Sequence, residues 1–119
     1  MKITAIEDLH ADGGWRTYSF LKIRTDEGLV GWAEFHDGFG VGGVGALIRK
    51  FASVAVGMDP RRAGQISAAL HGTARTAPGA HATMAIAAIE NACLDLQAKA
   101  AGVPVHALFG GPFRDRVEL

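Results

Sequence analysis

The sequence predicts an α+β fold in which a three-stranded antiparallel β-meander precedes a helical bundle. β-Branched and aromatic residues are concentrated in residues 1–35, where short glycine-containing connections separate them. In the remainder of the chain, apolar residues recur at the three- and four-residue spacing of helix faces. Two short connections between consecutive strands favour antiparallel pairing, because parallel strands need a crossover of a dozen or more residues.

Three strands are predicted in the N-terminal third of the chain, over residues 1–9, 15–25 and 29–35. The tripeptide Asp26-Glu27-Gly28 is typical of a tight turn between the second and third strands. Side chains alternate along a strand, so Leu21 and Ile23 face one side of the sheet and Tyr18 and Phe20 the other. Both faces therefore carry apolar groups, and we expect another part of a larger protein to cover the second face in part.

Three helices are predicted after the sheet. The first shows helical spacing of its apolar residues, which are Val44, Leu47, Ile48, Phe51, Ala52 and Ala55. Asp59 and Pro60 are start signals for the second helix, which we expect to end at Gly72. The third and longest helix should end at Gly102, and its apolar face consists of Ala82, Ala85, Ile89, Cys93, Leu96 and Ala100. Asp95 and Lys99 are four residues apart on this helix, and we expect their ion pair to contribute only about 0.3 kcal/mol of stability.

Composition excludes several classes of protein. Lys plus Arg equals Asp plus Glu, at 12 each, whereas nucleic-acid and anionic-membrane surfaces need a basic excess. We therefore expect no nucleic-acid and no membrane partner, and no apolar run approaches the roughly 20 residues of a membrane helix. The single Cys93 cannot form an internal disulfide, and no secretory signal is visible, so we expect a cytoplasmic protein.

The glycine-rich segment Gly38–Gly43 matches G-x-G-x-x-G, the dinucleotide-binding pattern, between a predicted strand and a predicted helix. Asp59 lies roughly where that pattern places an acidic residue, about 20 positions on. The pattern needs a parallel βαβ unit, however, and the predicted sheet is an antiparallel meander. Asp59 with Pro60 is also explained as a helix start, so we interpret the segment as a glycine-rich loop.

Two predicted loops should lie next to each other, because the ends of the first and third strands meet at one edge of a meander. These loops, residues 10–14 and 36–43 with their flanking positions, carry the candidate substrate-binding residues Trp15, Arg16, His36 and Phe39. A cation and exposed aromatics suit a lid over an anionic substrate, although ordinary surface loops remain an equal alternative. The chain shows no metal-ligand spacing among its histidines and no nucleophile with a base, so no catalytic or metal-binding residue is predicted.

The last third of the chain carries a specific resemblance. Residues 88–111, AIENACLDLQAKAAGVPVHALFGG, closely resemble the segment just before the barrel in the mandelate racemase and muconate lactonizing enzyme group of the enolase superfamily. Residues 25–34 and 57–60 agree as well, so the resemblance covers essentially the whole chain. The departures are modest: Ala98 and Ala33 stand where the group often has glycine.

This resemblance implies a capping domain. In the superfamily, the α+β domain covers the mouth of a modified (β/α) barrel that carries three acidic Mg²⁺ ligands and the acid/base Lys or His residues. Those groups remove the proton α to a carboxylate, and the metal stabilises the enediolate. All of them would lie beyond Leu119, so we expect residues 1–113 to form the cap and residues 114–119 to begin the linker or first strand of a barrel absent here. The family's cap uses loops matching residues 10–18 and 36–43.

We therefore expect the capping and specificity domain of a Mg²⁺-dependent enzyme that acts on a small carboxylate. Acid-sugar dehydratase is the first choice, with racemase or cycloisomerase behind it. Alone, the chain should be inactive and bind no metal, while the full-length parent should use Mg²⁺. The isolated chain should expose an apolar patch where the barrel would dock, and it should form a homo-oligomer. The alternatives are a stand-alone α+β binding or dimerisation module and, less favoured, a dinucleotide-binding fragment.

Overall fold

Among the residues that the structure describes, the sheet consists of three antiparallel strands in the order β1-β2-β3. The structure is a computed structural model that describes residues 1–38 and 42–118. The strands are β1 (Ile3–Asp12), β2 (Thr17–Thr25) and β3 (Val30–Phe35), which confirms the predicted meander. β1 continues past the predicted end at Leu9, because His10 to Asp12 still pair with residues of β2. The connection between β1 and β2 therefore shortens to residues 13–16.

In the described part of the chain three α-helices follow: α1 (Val44–Ala55), α2 (Ala63–Ala74) and α3 (Ala80–Ala101). A 3₁₀ helix, Pro60–Arg62, precedes α2, and Asp59 caps it by accepting a hydrogen bond from the Arg61 N–H. α3 ends as predicted at Gly102, which adopts a left-handed conformation with φ of 67°. The predicted end of α2 at Gly72 is wrong, because the helix continues to Ala74 and buries that residue in the core. A glycine inside a helix costs only about 1 kcal/mol, which such burial can offset.

The hydrophobic core lies between one face of the sheet and the three helices. Its largest fully buried side chains are Ile3, Leu21, Ile23, Val44, Ile48, Phe51, Ile66, Leu70, Ile86, Ile89 and Leu96. The opposite face of the sheet also carries apolar groups, as predicted. Tyr18 and Phe20 are half-buried there, and Trp32 is exposed.

The C-terminal segment lies on the outside of the core. A second 3₁₀ helix, Val105–Phe109, contains no buried residue, and Phe109, Phe113 and Val117 are all exposed. Within the described ranges, no helix has both the length and the apolar character needed to cross a membrane.

Candidate functional site

The ends of all three strands converge at one edge of the sheet. Ser19 pairs with His10 of β1 on one side and with Phe35 of β3 on the other. The β1–β2 connection and the segment that follows β3 therefore leave the sheet side by side, as the meander predicts. We call residues 10–18 together with residues 34–38 the loop edge.

Arg16 packs against two perpendicular aromatic rings at the loop edge. Its guanidinium carbon lies 4.1 Å from the ring centroid of Tyr18 and 4.9 Å from that of Trp15. The two rings are perpendicular, with centroids 6.3 Å apart. Each ring face attracts the cation, so the rings hold the guanidinium in a defined place. The structure thus brings Trp15 and Arg16 together, and it adds Tyr18, which sequence reasoning did not select as a site residue.

One buried donor of Arg16 lacks an acceptor among the described residues. Its Nη2 atom donates to Oε1 of Glu34 over 3.1 Å, and Glu34 is 54% exposed. Its Nε atom is buried and has no hydrogen-bond partner among the residues described. Leaving a buried N–H without an acceptor costs about 1–3 kcal/mol. Arg16 therefore offers an unsatisfied donor beside two aromatic rings.

The other two candidate residues belong to the second loop. His36 directly follows β3 and is half-buried. Phe39 lies outside the described residues. The structure therefore places three of the four predicted residues at the loop edge, with Trp15 and Arg16 on one loop and His36 at the start of the other.

Asp37 binds the first turn of α1. Its carboxylate accepts hydrogen bonds from the backbone N–H groups of Gly43, Val44 and Gly45. Burial would raise the pKa of this carboxyl group, but the three N–H groups outweigh that effect and hold the pKa below its ordinary value. A nucleotide phosphate would need these same N–H groups. Because they are taken and the sheet is antiparallel, the dinucleotide interpretation has no structural support.

A polar network that includes His10 of the loop edge joins β1 to α1. Arg49 Nη1 donates to Oδ2 of Asp8, and His10 Nε2 lies 3.3 Å from the same oxygen. His10 Nδ1 lies 3.0 Å from Oγ of Ser19. Burial would raise the pKa of Asp8, but the hydrogen bonds from Arg49 and His10 hold it below its ordinary value. Sequence analysis missed this network because Asp8 and Arg49 meet only when α1 packs on the sheet.

Neither a metal-ligand set nor an activated nucleophile is found in the described part of the chain. Over residues 1–38 and 42–118, no three His, Cys, Asp or Glu side chains gather as ligands for one ion would. These residues therefore do not fit Mg²⁺, which proteins hold through carboxylates and other oxygen ligands. Cys93 is buried, and its burial together with the nearby Glu90 charge raises the pKa of its thiol to about 12, so it packs as a small core residue.

Comparison with known proteins gives consistent matches along the chain. The profile of the mandelate racemase / muconate lactonizing enzyme N-terminal domain matches residues 11–110. A D-galactonate dehydratase from Xanthomonas axonopodis pv. citri is 39% identical over 118 residues, which is 99% of this chain and 30% of that protein.

Solved structures agree with these sequence matches. A proposed L-alanine-DL-glutamate epimerase from Burkholderia xenovorans superposes with a TM-score of 0.94 at 43% identity, over 98% of this chain and 30% of that one. A structure of the same Burkholderia protein holds magnesium and fumarate. A mandelate racemase/muconate lactonizing protein from Paracoccus denitrificans, in complex with magnesium, has a TM-score of 0.86 at 30% identity and covers 98% of this chain and 32% of its own.

The chain spans about 30% of the length of the curated relatives that it matches. The profile match extends over most of the sequence, and the sheet and helices agree with those of the solved relatives. The chain therefore belongs to the mandelate racemase and muconate lactonizing enzyme family, of which it represents the N-terminal domain.

Proposed function

We propose that this chain is the substrate-capping domain of a larger Mg²⁺-dependent enzyme that removes the proton α to a carboxylate, and that the reaction dehydrates an acid sugar. Family membership supports the capping role, and the D-galactonate dehydratase relative supports the substrate class. The Burkholderia relative binds magnesium together with fumarate, a dicarboxylate. Racemisation or cycloisomerisation is the second choice, because the cycloisomerase from Zobellia galactanivorans shares the fold with a TM-score of 0.83 at 25% identity.

The observation that carries this proposal is the environment of Arg16. Its guanidinium packs against two aromatic rings and donates to the exposed Glu34, and a charge-assisted bond to a substrate carboxylate would take the place of that ion pair. The bond to Glu34 is a weak competitor, because exposed ion pairs contribute about 0–1 kcal/mol. A substrate anion could displace Glu34 at little cost.

The other loop-edge residues would assist binding rather than chemistry. Trp15 is 71% exposed, so its ring is available to cover a bound substrate and exclude water, while the Tyr18 ring, perpendicular to it, also contacts the guanidinium. His36 would add a hydrogen bond from the neighbouring loop, and Phe39 would extend the apolar cover. Proton removal and metal binding would belong to the barrel that the family resemblance implies beyond residue 119.

The exposed apolar residues near the C-terminus fit the same proposal. Phe113 and Val117 are exposed, and monomers rarely leave large contiguous apolar patches open to water. We propose that residues 1–113 form the cap, that residues 114–119 lead into the barrel, and that the barrel or a second copy in a homo-oligomer covers this segment.

The test is an assay of the full-length parent on a panel of acid sugars with Mg²⁺, which measures the keto acid that dehydration yields. The parent should dehydrate at least one acid sugar, and residues 1–119 alone should dehydrate none. A parent that racemises or cycloisomerises carboxylates without dehydrating any would contradict the dehydratase assignment and support the second choice. Activity of residues 1–119 alone would overturn the capping role.

A further inference from the structure

Asp37 ties the segment after β3 to the start of α1. Its Oδ1 atom accepts from the N–H groups of Gly43 at 2.6 Å and Val44 at 3.0 Å, and its Oδ2 atom accepts from Gly45 at 3.1 Å. Gly43, at the N-cap position with φ of 109°, has no side chain that could cap the helix. An upstream carboxylate therefore takes over that role, and its charge complements the positive end of the helix dipole.

A second carboxylate meets the same turn of α1. A β-carbon built on Gly45 would lie 3.0 Å from Oδ2 of Asp37 and 3.0 Å from Oδ2 of Asp8. Asp8 belongs to β1 and is itself held by Arg49 of α1. Carboxylates from two separate segments thus lie close to Gly45, and the methyl group of an alanine at this position would be too close to both. Asp37 and a carboxylate of the sheet therefore lie against the same turn of α1.

We propose that Asp37 is a positioning residue, which fixes the backbone of its neighbour His36 and thereby the start of the second loop relative to Arg16. The inference rests on the proposed function, since it concerns the same substrate-facing edge. Phe35 precedes His36 and is itself fixed by burial and by pairing with Ser19. His36 is consequently held on both sides, by strand pairing before it and by the Asp37 carboxylate after it.

The alternative role for Asp37 is that of a simple helix cap, and the chain contains a matched control for that role. Asp59 also accepts a backbone N–H bond at a helix start, from Arg61 at 3.0 Å. It follows Met58, whose carbonyl oxygen accepts from the N–H of Ile3. Ile3 begins β1, so Asp59 lies at the end of the sheet opposite the loop edge. Losing the Asp59 cap should therefore leave the substrate-facing loops in place.

The experiment compares Asp37→Asn, Gly45→Ala and Asp59→Asn in the full-length parent. Asn offers only one acceptor oxygen, so Asp37→Asn cannot satisfy all three N–H groups. Gly45→Ala keeps the Asp37 charge but displaces it. We expect both variants to raise KM for the acid sugar about tenfold while kcat changes less than about threefold, which is the pattern of weakened substrate binding. Asp59→Asn should change neither constant.

Hydrogen exchange separates this inference from the proposed function. The amides of residues 43–45 should exchange faster in Asp37→Asn than in the wild type, while amides in the middle of α3 should not change. A KM for Asp37→Asn no higher than that for Asp59→Asn would overturn the positioning role, and unchanged exchange at residues 43–45 would overturn the anchoring itself. A wild-type parent with no activity on any acid sugar would refute the acid-sugar assignment of the proposed function, and the exchange result would still decide whether Asp37 anchors the start of α1.

Discussion

The backbone N–H of Trp32 donates a 2.9 Å hydrogen bond to Oδ2 of Asp95. Lys99 Nζ lies 2.5 Å from the same carboxylate oxygen and also donates to the carbonyl oxygen of Val30 over 2.8 Å. β3 is an edge strand, so these bonds satisfy backbone groups that would otherwise face water or another chain. Helical spacing alone predicts that Asp95 and Lys99 form a weak surface ion pair. In the structure, both side chains also bond the backbone of β3 and so connect α3 to it.

Asp95→Ala should lower the free energy of unfolding by about 1–2 kcal/mol, because it removes a charge-assisted bond to the backbone of β3. Asp95→Asn should lose less, since the amide oxygen can still accept from Trp32. Urea denaturation measures both effects. The control is Asp115→Ala, at an exposed position in the C-terminal segment. Equal losses at positions 95 and 115 would show that the contact between α3 and β3 contributes nothing.

Gly31→Ala should destabilise the chain by about 3 kcal/mol, the upper end of the usual range for overpacking. A β-carbon at Gly31 would lie 2.3 Å from the carbonyl oxygen of Ala92 and 2.7 Å from Cγ of Leu96. The backbone of α3 therefore approaches β3 too closely for any side chain at this position. Thermal or urea unfolding would measure the loss.

Gly64→Ala is the matched control for Gly31→Ala. Gly64 lies in α2, and a β-carbon there would meet nothing within 4 Å. The Gly64→Ala substitution should stabilise the chain by up to about 1 kcal/mol, because alanine has a higher helix propensity than glycine. A tolerated alanine at position 31 would contradict the close packing of α3 on β3.

Periodicity predicts much of this fold but little of its long-range polar chemistry. The bounds of α1 follow from its apolar spacing, and the meander follows from short connections between β-branched segments. The end of α2 does not follow from the sequence pattern. Gly72 is a local signal for a helix end, but the helix continues because Ala74 is buried in the core. The contact of Asp8 with Arg49 joins residues 41 positions apart, so no local sequence pattern predicts it.

The candidate site divides in the same way. Arg16 can be selected from the sequence because a cation on a predicted loop suits an anionic substrate. Its packing against Trp15 and Tyr18 depends on how the β1–β2 connection folds back over the strands. The N–H bonds of Asp37 depend on where α1 begins in space. Residue type therefore predicted which groups could bind, whereas the packing that holds them required the structure.

Acid should destabilise the chain through Asp37. Because its folded-state pKa lies below the ordinary value of 3.8, its contribution to stability is complete above that value and is lost as the pH falls towards the folded-state pKa. The free energy of unfolding should therefore decrease as the pH falls below this ordinary value, and Asp37→Asn should flatten that dependence. Some slope should remain, since the pKa of Asp8 is also lowered. Denaturation at several pH values checks this, and an unchanged slope in the variant would contradict it.

Residues 1–119 in isolation should bind a hydrophobic dye and self-associate, because the exposed Phe109 and Phe113 would favour burial. Replacing both with serine should reduce dye fluorescence and shift sedimentation towards the monomer. Val56→Ser is the control, as Val56 is exposed but lies outside the C-terminal segment. A monomeric wild-type chain that binds no dye would contradict a docking role for this segment.

Arg16 at the loop edge is best tested by a substitution that keeps its charge. Arg16→Ala would also remove packing against two rings, whereas Arg16→Lys retains a cation but loses the Nε donor and the planar guanidinium. The free energy of unfolding of Arg16→Lys should therefore change by less than about 1 kcal/mol. Ile89→Ala is the opposite control: Ile89 is fully buried, so the substitution should cost about 2–5 kcal/mol of stability without lowering the activity of the folded fraction.

The decisive measurement is kcat/KM of the full-length parent for its acid sugar, in the wild type and in Arg16→Lys. If the loop edge caps the substrate and Arg16 binds it, kcat/KM should fall about 10–100-fold, the scale of one lost charge-assisted hydrogen bond. Per folded molecule, Ile89→Ala should keep the wild-type value. A kcat/KM for Arg16→Lys within about twofold of the wild type would contradict the assignment of Arg16 to the substrate site.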